Sequence, residues 1–202
     1  MNKYITEFIG TMFLVMGAAL GGAIGASLAL MVMIYAGGHI SGAHYNPAVT
    51  LAVWMRGKIE MKDAILYWVF QILGGVTAAL IVTYLLKVNG GNKCGIPTDG
   101  IHRGIIAETL GTFALAYVVL NVATAKGTSG NSFYGLAIGG TVLAMATALG
   151  SFSGGAFNPA VAIGLCIQKS FCFEQLWMYV VGAISGGAMA AIVFSLNNPD
   201  DK

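Results

Sequence analysis

Long stretches without a charged residue alternate with short polar segments along this 202-residue chain. The first uncharged stretch, 8–55, holds 48 residues. A membrane-spanning helix needs about 20 apolar residues, so this stretch can supply two short spans and half of a third. The glycine-rich segment 21–25 predicts a turn within it. We therefore expect one helix over residues 4–20 and a second that ends near residue 36.

The rest of the chain predicts four more spans. Residues 64–86 and 104–125 form the third and fourth, and the polar linker 87–103 between them marks the midpoint. The uncharged run 127–168 is long enough for a loop, a fifth span and a re-entrant segment. A sixth span follows over 174–196. The pattern predicts an all-α integral membrane protein with six transmembrane helices and two re-entrant half-helices.

The two re-entrant segments carry the same motif, 112 positions apart. Ser-Gly-Ala-His-Tyr leads into Asn46-Pro47-Ala48, and Ser-Gly-Gly-Ala-Phe leads into Asn158-Pro159-Ala160. Asn is a favoured helix N-cap and Pro is favoured at the first helical position, so each motif predicts a loop that turns into a helix. The helical runs 46–56 and 158–168 are about 15 Å long at ~1.5 Å per residue, half of a ~30 Å hydrocarbon core.

The repeat extends beyond these motifs. Glu7-Phe8-Ile9-Gly10-Thr11 matches Glu108-Thr109-Leu110-Gly111-Thr112. Each half holds three spans, an odd number, so the second half enters the membrane inverted. We assign residues 1–97 and 98–202 to the two halves of a single membrane domain. Such repeats place their functional site at mid-membrane, where broken helices meet.

Composition excludes several functions. Hydrophobic residues make up 57% of the chain and charged residues 9%, far below the ~25% of soluble domains. A net charge of +2 suggests no nucleic-acid partner. No catalytic triad, phosphate loop or metal-binding cluster is evident, so we expect neither an enzyme nor a cofactor or metal. The cysteines have no metal spacing, and we expect ordinary packing or loop residues: Cys94, Cys166 and Cys172.

Three polar residues near the motifs have two interpretations each. Glu7 and Glu108 lie inside spans, where an acid is a functional candidate by default. We favour a loop-supporting role, because backbone donors of a loop at membrane depth must be satisfied within the protein. His44 has no counterpart in the second half. A pore-facing or pH-sensing role is open to it, and we favour a structural hydrogen bond.

The paired asparagines suggest a pore. An N-cap spends its side-chain oxygen on its own helix, which leaves the amide NH2 of Asn46 and of Asn158 free to donate. Each helix N-terminus adds about +0.5 charge. Two such ends facing each other make a positive constriction that offers only donors. Such a constriction suits small neutral molecules and opposes cations.

These motifs resemble the aquaporin and glycerol-facilitator family, the major intrinsic proteins. The resemblance covers the whole chain and includes the string 39–45, the repeated Glu-x-x-Gly-Thr and the segment 71–75. It implies six tilted spans and two half-helices around one pore per subunit, with four subunits in a homotetramer embedded in lipid. It also implies passive, bidirectional transport of water and small neutral solutes.

One departure from the family concerns the filter at the outer mouth. The residue after the second Asn-Pro-Ala is usually Arg, and here it is Val161. By this resemblance the other filter positions are Ala26, Ala146 and Gly155. The chain thus resembles atypical, bacterial-type members that lack the filter arginine. Their wide, apolar filter implies passage of glycerol, urea or metalloid hydroxides, with cation exclusion resting on the two Asn ends.

Two other functions stay open at this point. A coupled secondary transporter also uses inverted repeats and broken helices. A transporter would need an acidic residue at mid-membrane, and we predict no acidic residue at that depth. The other open function is that of a structural membrane protein with a closed pore. Charge counts favour cytoplasmic termini in a multi-pass protein of the cell membrane, which we expect to be a prokaryotic inner membrane.

Overall fold

The computed structural model describes residues 1–87 and 100–201. Within these ranges the chain is helical and contains no β-strand, which confirms the predicted all-α class. Two of the helices are only nine residues long. The helices are α1 (Asn2–Ser41), α2 (Pro47–Met55), α3 (Met61–Leu86), α4 (Ile101–Val119), α5 (Tyr134–Ser153), α6 (Pro159–Ile167) and α7 (Leu176–Asn197).

The first helix is folded in two. Gly22 has a φ of 56° and a ψ of −143°, a conformation that glycine adopts far more readily than other residues. The arms on either side then run back along each other, and a Cβ placed on Gly17 would lie 2.5 Å from the carbonyl oxygen of Gly25. Within the described residues, five helices are long and apolar enough to cross a membrane, and the two arms of the folded α1 correspond to the first two predicted spans. The second arm reaches Ser41, further than the predicted end near residue 36.

Each half-helix packs against the last span of the opposite half. The contact is backbone to backbone: a Cβ on Gly187 of α7 would lie 2.5 Å from the carbonyl oxygen of Ala48 in α2. In the same way, a Cβ on Gly75 of α3 would lie 2.7 Å from the carbonyl oxygen of Ala160 in α6. Glycine is required because only it allows two helix backbones to approach this closely. These two contacts bring the half-helices to the centre of the molecule.

An ion pair joins several segments at one end of the bundle. The Arg56 guanidinium, just after α2, lies 2.6 Å from the Asp201 carboxylate of the C-terminal tail. The other oxygen of Asp201 accepts a hydrogen bond from the backbone N–H of Lys126, which follows α4 through a π-helical turn at 120–124. The tail therefore closes over the end at which α2 and α4 finish.

The expectation about the cysteines is wrong for one of them. Cys172 is disulfide-bonded, whereas Cys166 is a buried free thiol. Cys94 and the predicted boundary between the halves at residues 97 and 98 lie outside the described residues. Disulfide pairing depends on tertiary contacts, which sequence spacing does not reveal.

Candidate pore

Glu7 organises the loop that leads into α2. One carboxylate oxygen accepts hydrogen bonds from the Ser41 hydroxyl at 2.6 Å and from the backbone N–H of His44 at 3.0 Å. The other accepts from the backbone N–H of Tyr45 at 2.7 Å and from the Gln71 amide at 2.8 Å. Glu7 is fully buried. Four converging donors offset the cost of burying this carboxyl group.

Glu108 does the same for the loop that leads into α6. Its carboxylate accepts from the Ser153 hydroxyl at 2.6 Å, and from the backbone N–H groups of Ala156 at 3.0 Å and Phe157 at 2.6 Å. Irregular backbone survives at membrane depth only where the protein itself satisfies its polar groups. The two glutamates accept these backbone donors from positions within the helices α1 and α4.

The two asparagines form a reciprocal pair across the centre. The side-chain oxygen of Asn46 accepts from the backbone N–H of Ala48 at 2.9 Å, and that of Asn158 accepts from Ala160 at 2.9 Å. Both oxygens thus cap their own helices. Each amide nitrogen then donates to the opposite loop: Asn46 to the carbonyl of Phe157, and Asn158 to that of Tyr45, both at 2.9 Å.

This pairing corrects the expectation that the amide NH2 groups are wholly free. An amide nitrogen carries two hydrogens, and the cross-loop bond uses one. The second hydrogen of each asparagine remains for the lumen. Both residues line the same cavity, so the site offers one donor from each half. The carbonyls face their partners because Tyr45 and Phe157 adopt positive φ values of 49° and 48°.

The cavity between the half-helices has a volume of about 210 Å³. It is bounded by both asparagines and by all four residues assigned to the filter, which come from four separate segments. None of the described residues that line it is an Asp, Glu, Lys or Arg. The assigned filter residues are Ala26, Ala146, Gly155 and Val161.

Neither arginine near the bundle ends reaches this cavity. Arg56 is held by Asp201, and its guanidinium also lies over the Phe194 ring, 4.8 Å from the centroid. Arg103 is exposed on the first turn of α4. Within residues 1–87 and 100–201, no arginine therefore reaches the filter, where Val161 stands in place of the usual arginine.

His44 fits both of its interpretations. Its Nδ1 atom lies 3.1 Å from the Thr50 hydroxyl oxygen, and the ring borders the cavity. The Thr50 hydroxyl donates to the carbonyl of Asn46 at 3.1 Å and accepts from the Gln71 amide at 3.0 Å. Because that hydroxyl donates its proton to Asn46, the contact with Thr50 suits the tautomer in which Nδ1 carries the proton. Nε2 of the neutral ring is then the acceptor.

Ser170 and Phe171 are among the lining residues that sequence reasoning missed. They lie in the connection between α6 and α7, which the hydrophobic pattern marks only as a loop. The Phe171 ring stacks on Tyr179 with centroids 4.6 Å apart and an angle of 8° between planes. No motif in the sequence assigns these residues to the cavity.

Comparison with known proteins identifies the family. The model of the major intrinsic protein family matches residues 16–194. The chain belongs to the major intrinsic protein family. The resemblance drawn from its motifs is thereby confirmed. Members of this family are passive channels rather than enzymes, and the relatives below indicate a membrane channel for water and small solutes.

Plant aquaporins are among the similar proteins. The chain is 34% identical to the probable aquaporin TIP2-2 of Arabidopsis thaliana, over 96% of this chain and 86% of that protein. It is 33% identical to aquaporin NIP1-1 of Zea mays, over 96% and 74% of the two chains. The fold is similar to the X-ray structure of the aquaglyceroporin from Plasmodium falciparum, with a TM-score of 0.74 and 19% identity. That match covers 98% of this chain and 97% of the other.

Proposed function

We propose that this major intrinsic protein is a passive channel whose wide, apolar filter admits glycerol, urea or metalloid hydroxides as well as water. The observation that carries the proposal is the uncharged lining of the central cavity around Val161 and Gly155. A filter that passes water alone needs a narrow pore with polar walls. Alanine, glycine and valine side chains present neither bulk nor charge.

The asparagine pair supplies selectivity against ions. Asn46 and Asn158 each keep one amide hydrogen beyond the cross-loop bond for a solute that offers oxygen, and the two helix N-termini add positive potential there. A cation meets this potential without a counter-charge from the described lining. Loss of a full arginine charge weakens the barrier at the outer mouth. Proton and cation exclusion therefore rests on the asparagine pair.

The proposal also includes the orientation of the protein in the membrane and its assembly into oligomers. The end that holds Arg56, Lys126 and the C-terminal tail is the more basic one, so we assign it and both termini to the cytoplasm. Four subunits assemble in the membrane lipid, each with its own pore, as the family resemblance implies. The two relatives similar in sequence that are named above are plant proteins, and the prokaryotic inner membrane stays a prediction.

The test is a solute panel on purified protein in lipid vesicles. Stopped-flow light scattering measures the permeability to water, glycerol, urea and arsenous acid for the wild type and for Val161→Arg. Restoring the charge should lower the glycerol permeability by about tenfold, the low end of the discrimination that one group gives a pocket. Val161→Leu is the matched control, because it adds bulk without charge.

Two outcomes would count against the proposal. A wild type that passes water but none of the larger solutes contradicts the wide filter. A Val161→Arg channel with wild-type glycerol permeability contradicts the assignment of this residue to the filter. Accumulation of solute against its gradient would instead indicate a coupled transporter.

A further inference from the structure

We infer that Phe171 is a specificity-determining residue at the outer mouth, a fifth member of the filter that the four assigned positions do not include. The inference rests on the proposed function and extends it. Phe171 borders the same cavity as Gly155 and Val161, and it carries the largest side chain among the residues that line this cavity. Where the filter offers only small groups, this ring forms one wall.

The ring is held in a fixed position on one side by Tyr179. The two rings lie nearly parallel, with centroids 4.6 Å apart. Tyr179 is itself 2% exposed, and its hydroxyl donates to the carbonyl of Ser153 at 2.6 Å. Stacked aromatic pairs contribute beyond their buried area. Because Ser153 ends α5 beside the filter loop, this contact ties the ring to the loop that carries Gly155.

On the other side, the ring lies against the backbone of Gly154. A Cβ built on Gly154 would be 2.7 Å from two ring carbons of Phe171, so any larger residue there would displace the ring. The backbone beside Phe171 is also anchored. The N–H groups of Ser170 and Phe171 donate to the carbonyl of Leu165 at 2.9 and 3.1 Å, and the next residue, Cys172, is buried and disulfide-bonded.

A fixed aromatic wall selects by size and shape. A flexible side chain would move aside for a large solute, whereas a ring held between Tyr179 and Gly154 would not. The repeat has no second aromatic at this place: the residue 112 positions earlier is Ile59, which lines a separate cavity together with Lys58 and Glu60. The first half of the repeat therefore has no counterpart of Phe171.

The test compares Phe171→Ala with Phe173→Ala in the vesicle assay. Phe173 lies two residues away in the same connection and is 57% exposed, so it controls for loss of a nearby ring. We expect Phe171→Ala to raise the ratio of glycerol to water permeability by about tenfold. Phe173→Ala should leave the ratio unchanged. Phe171→Trp, which enlarges the ring, should lower it.

Further variants keep the inference testable if the alanine variant fails to fold. Phe171→Leu retains apolar bulk without the flat ring, and should raise the ratio less than alanine does. A ratio that stays at the wild-type value in Phe171→Leu, Phe171→Trp and any folded Phe171→Ala overturns the role of this ring. Such a result leaves the wide-filter proposal standing. A wild type without glycerol permeability overturns that proposal first.

Discussion

Removing Glu108 should unfold the second loop. Glu108→Ala deletes the acceptor for three buried donors: the Ser153 hydroxyl and the backbone N–H groups of Ala156 and Phe157. A buried donor left without a partner costs about 1–3 kcal/mol. The three together cost about 3–9 kcal/mol, a large part of the ~5–15 kcal/mol that keeps a typical protein folded.

The glutamine variant separates hydrogen bonding from charge. Glu108→Gln keeps one oxygen, which can still accept from Ser153 and Ala156. It places an amide NH2 against the N–H of Phe157, so one donor is lost at a cost of about 1–3 kcal/mol. We therefore expect a graded series in which alanine is much more damaging than glutamine.

The assay is thermal unfolding of protein purified in detergent, with water permeability in vesicles as the functional readout. Glu174→Ala is the control, because Glu174 is an exposed acid before α7. Equal unfolding temperatures for Glu108→Ala and Glu174→Ala would refute the loop-supporting role. Loss of permeability in a fully stable Glu108→Gln would point to proton coupling at this carboxyl group instead.

Two further predictions concern packing and the C-terminal tail. Gly187→Val should abolish folded protein, because a Cβ at this position would lie 2.5 Å from a backbone oxygen of α2. Gly140→Ala is the control and should be neutral, because nothing lies near its Cβ. The yield of monodisperse protein measures both effects. The backbone N–H of Lys126 and the Arg56 guanidinium hold the pKa of Asp201 below its ordinary value. The contact of the Asp201 carboxylate with Arg56 and Lys126 should therefore be fully present above the ordinary pKa of Asp. It should be lost as the pH falls through the lowered pKa of Asp201. The protection of residues 197–201 from hydrogen exchange, measured relative to the intrinsic exchange rate at each pH, should therefore fall with acid in the wild type. A tail equally protected in Asp201→Asn at neutral pH would contradict this.

The parts that could be predicted from the sequence are those with local causes. Asn46 and Asn158 cap helices because of their own side chains and the prolines that follow them. The fold in α1 falls at Gly22, inside the predicted segment 21–25, because a positive φ favours glycine. The number of membrane-spanning helices could be predicted from the lengths of the uncharged stretches.

The parts that could not be predicted depend on distant residues. Each asparagine amide also donates to the opposite loop. This donation requires that Tyr45 and Phe157 adopt positive φ. Non-glycine residues seldom do so, and no local pattern marks it. Phe171 reaches the cavity because Tyr179 and Gly154 hold it there, which only the folded chain reveals.

The central claim is that the pore between two half-helices, which begin at Asn46 and Asn158, conducts neutral solutes passively while excluding protons. One measurement tests it most directly: vesicles that contain the protein and a trapped pH-sensitive dye, mixed with a glycerol gradient while volume and internal pH are read together. The account predicts rapid glycerol-driven reswelling with little change of internal pH. Reswelling that requires a proton gradient, or an internal pH that collapses as fast as the volume recovers, would contradict it.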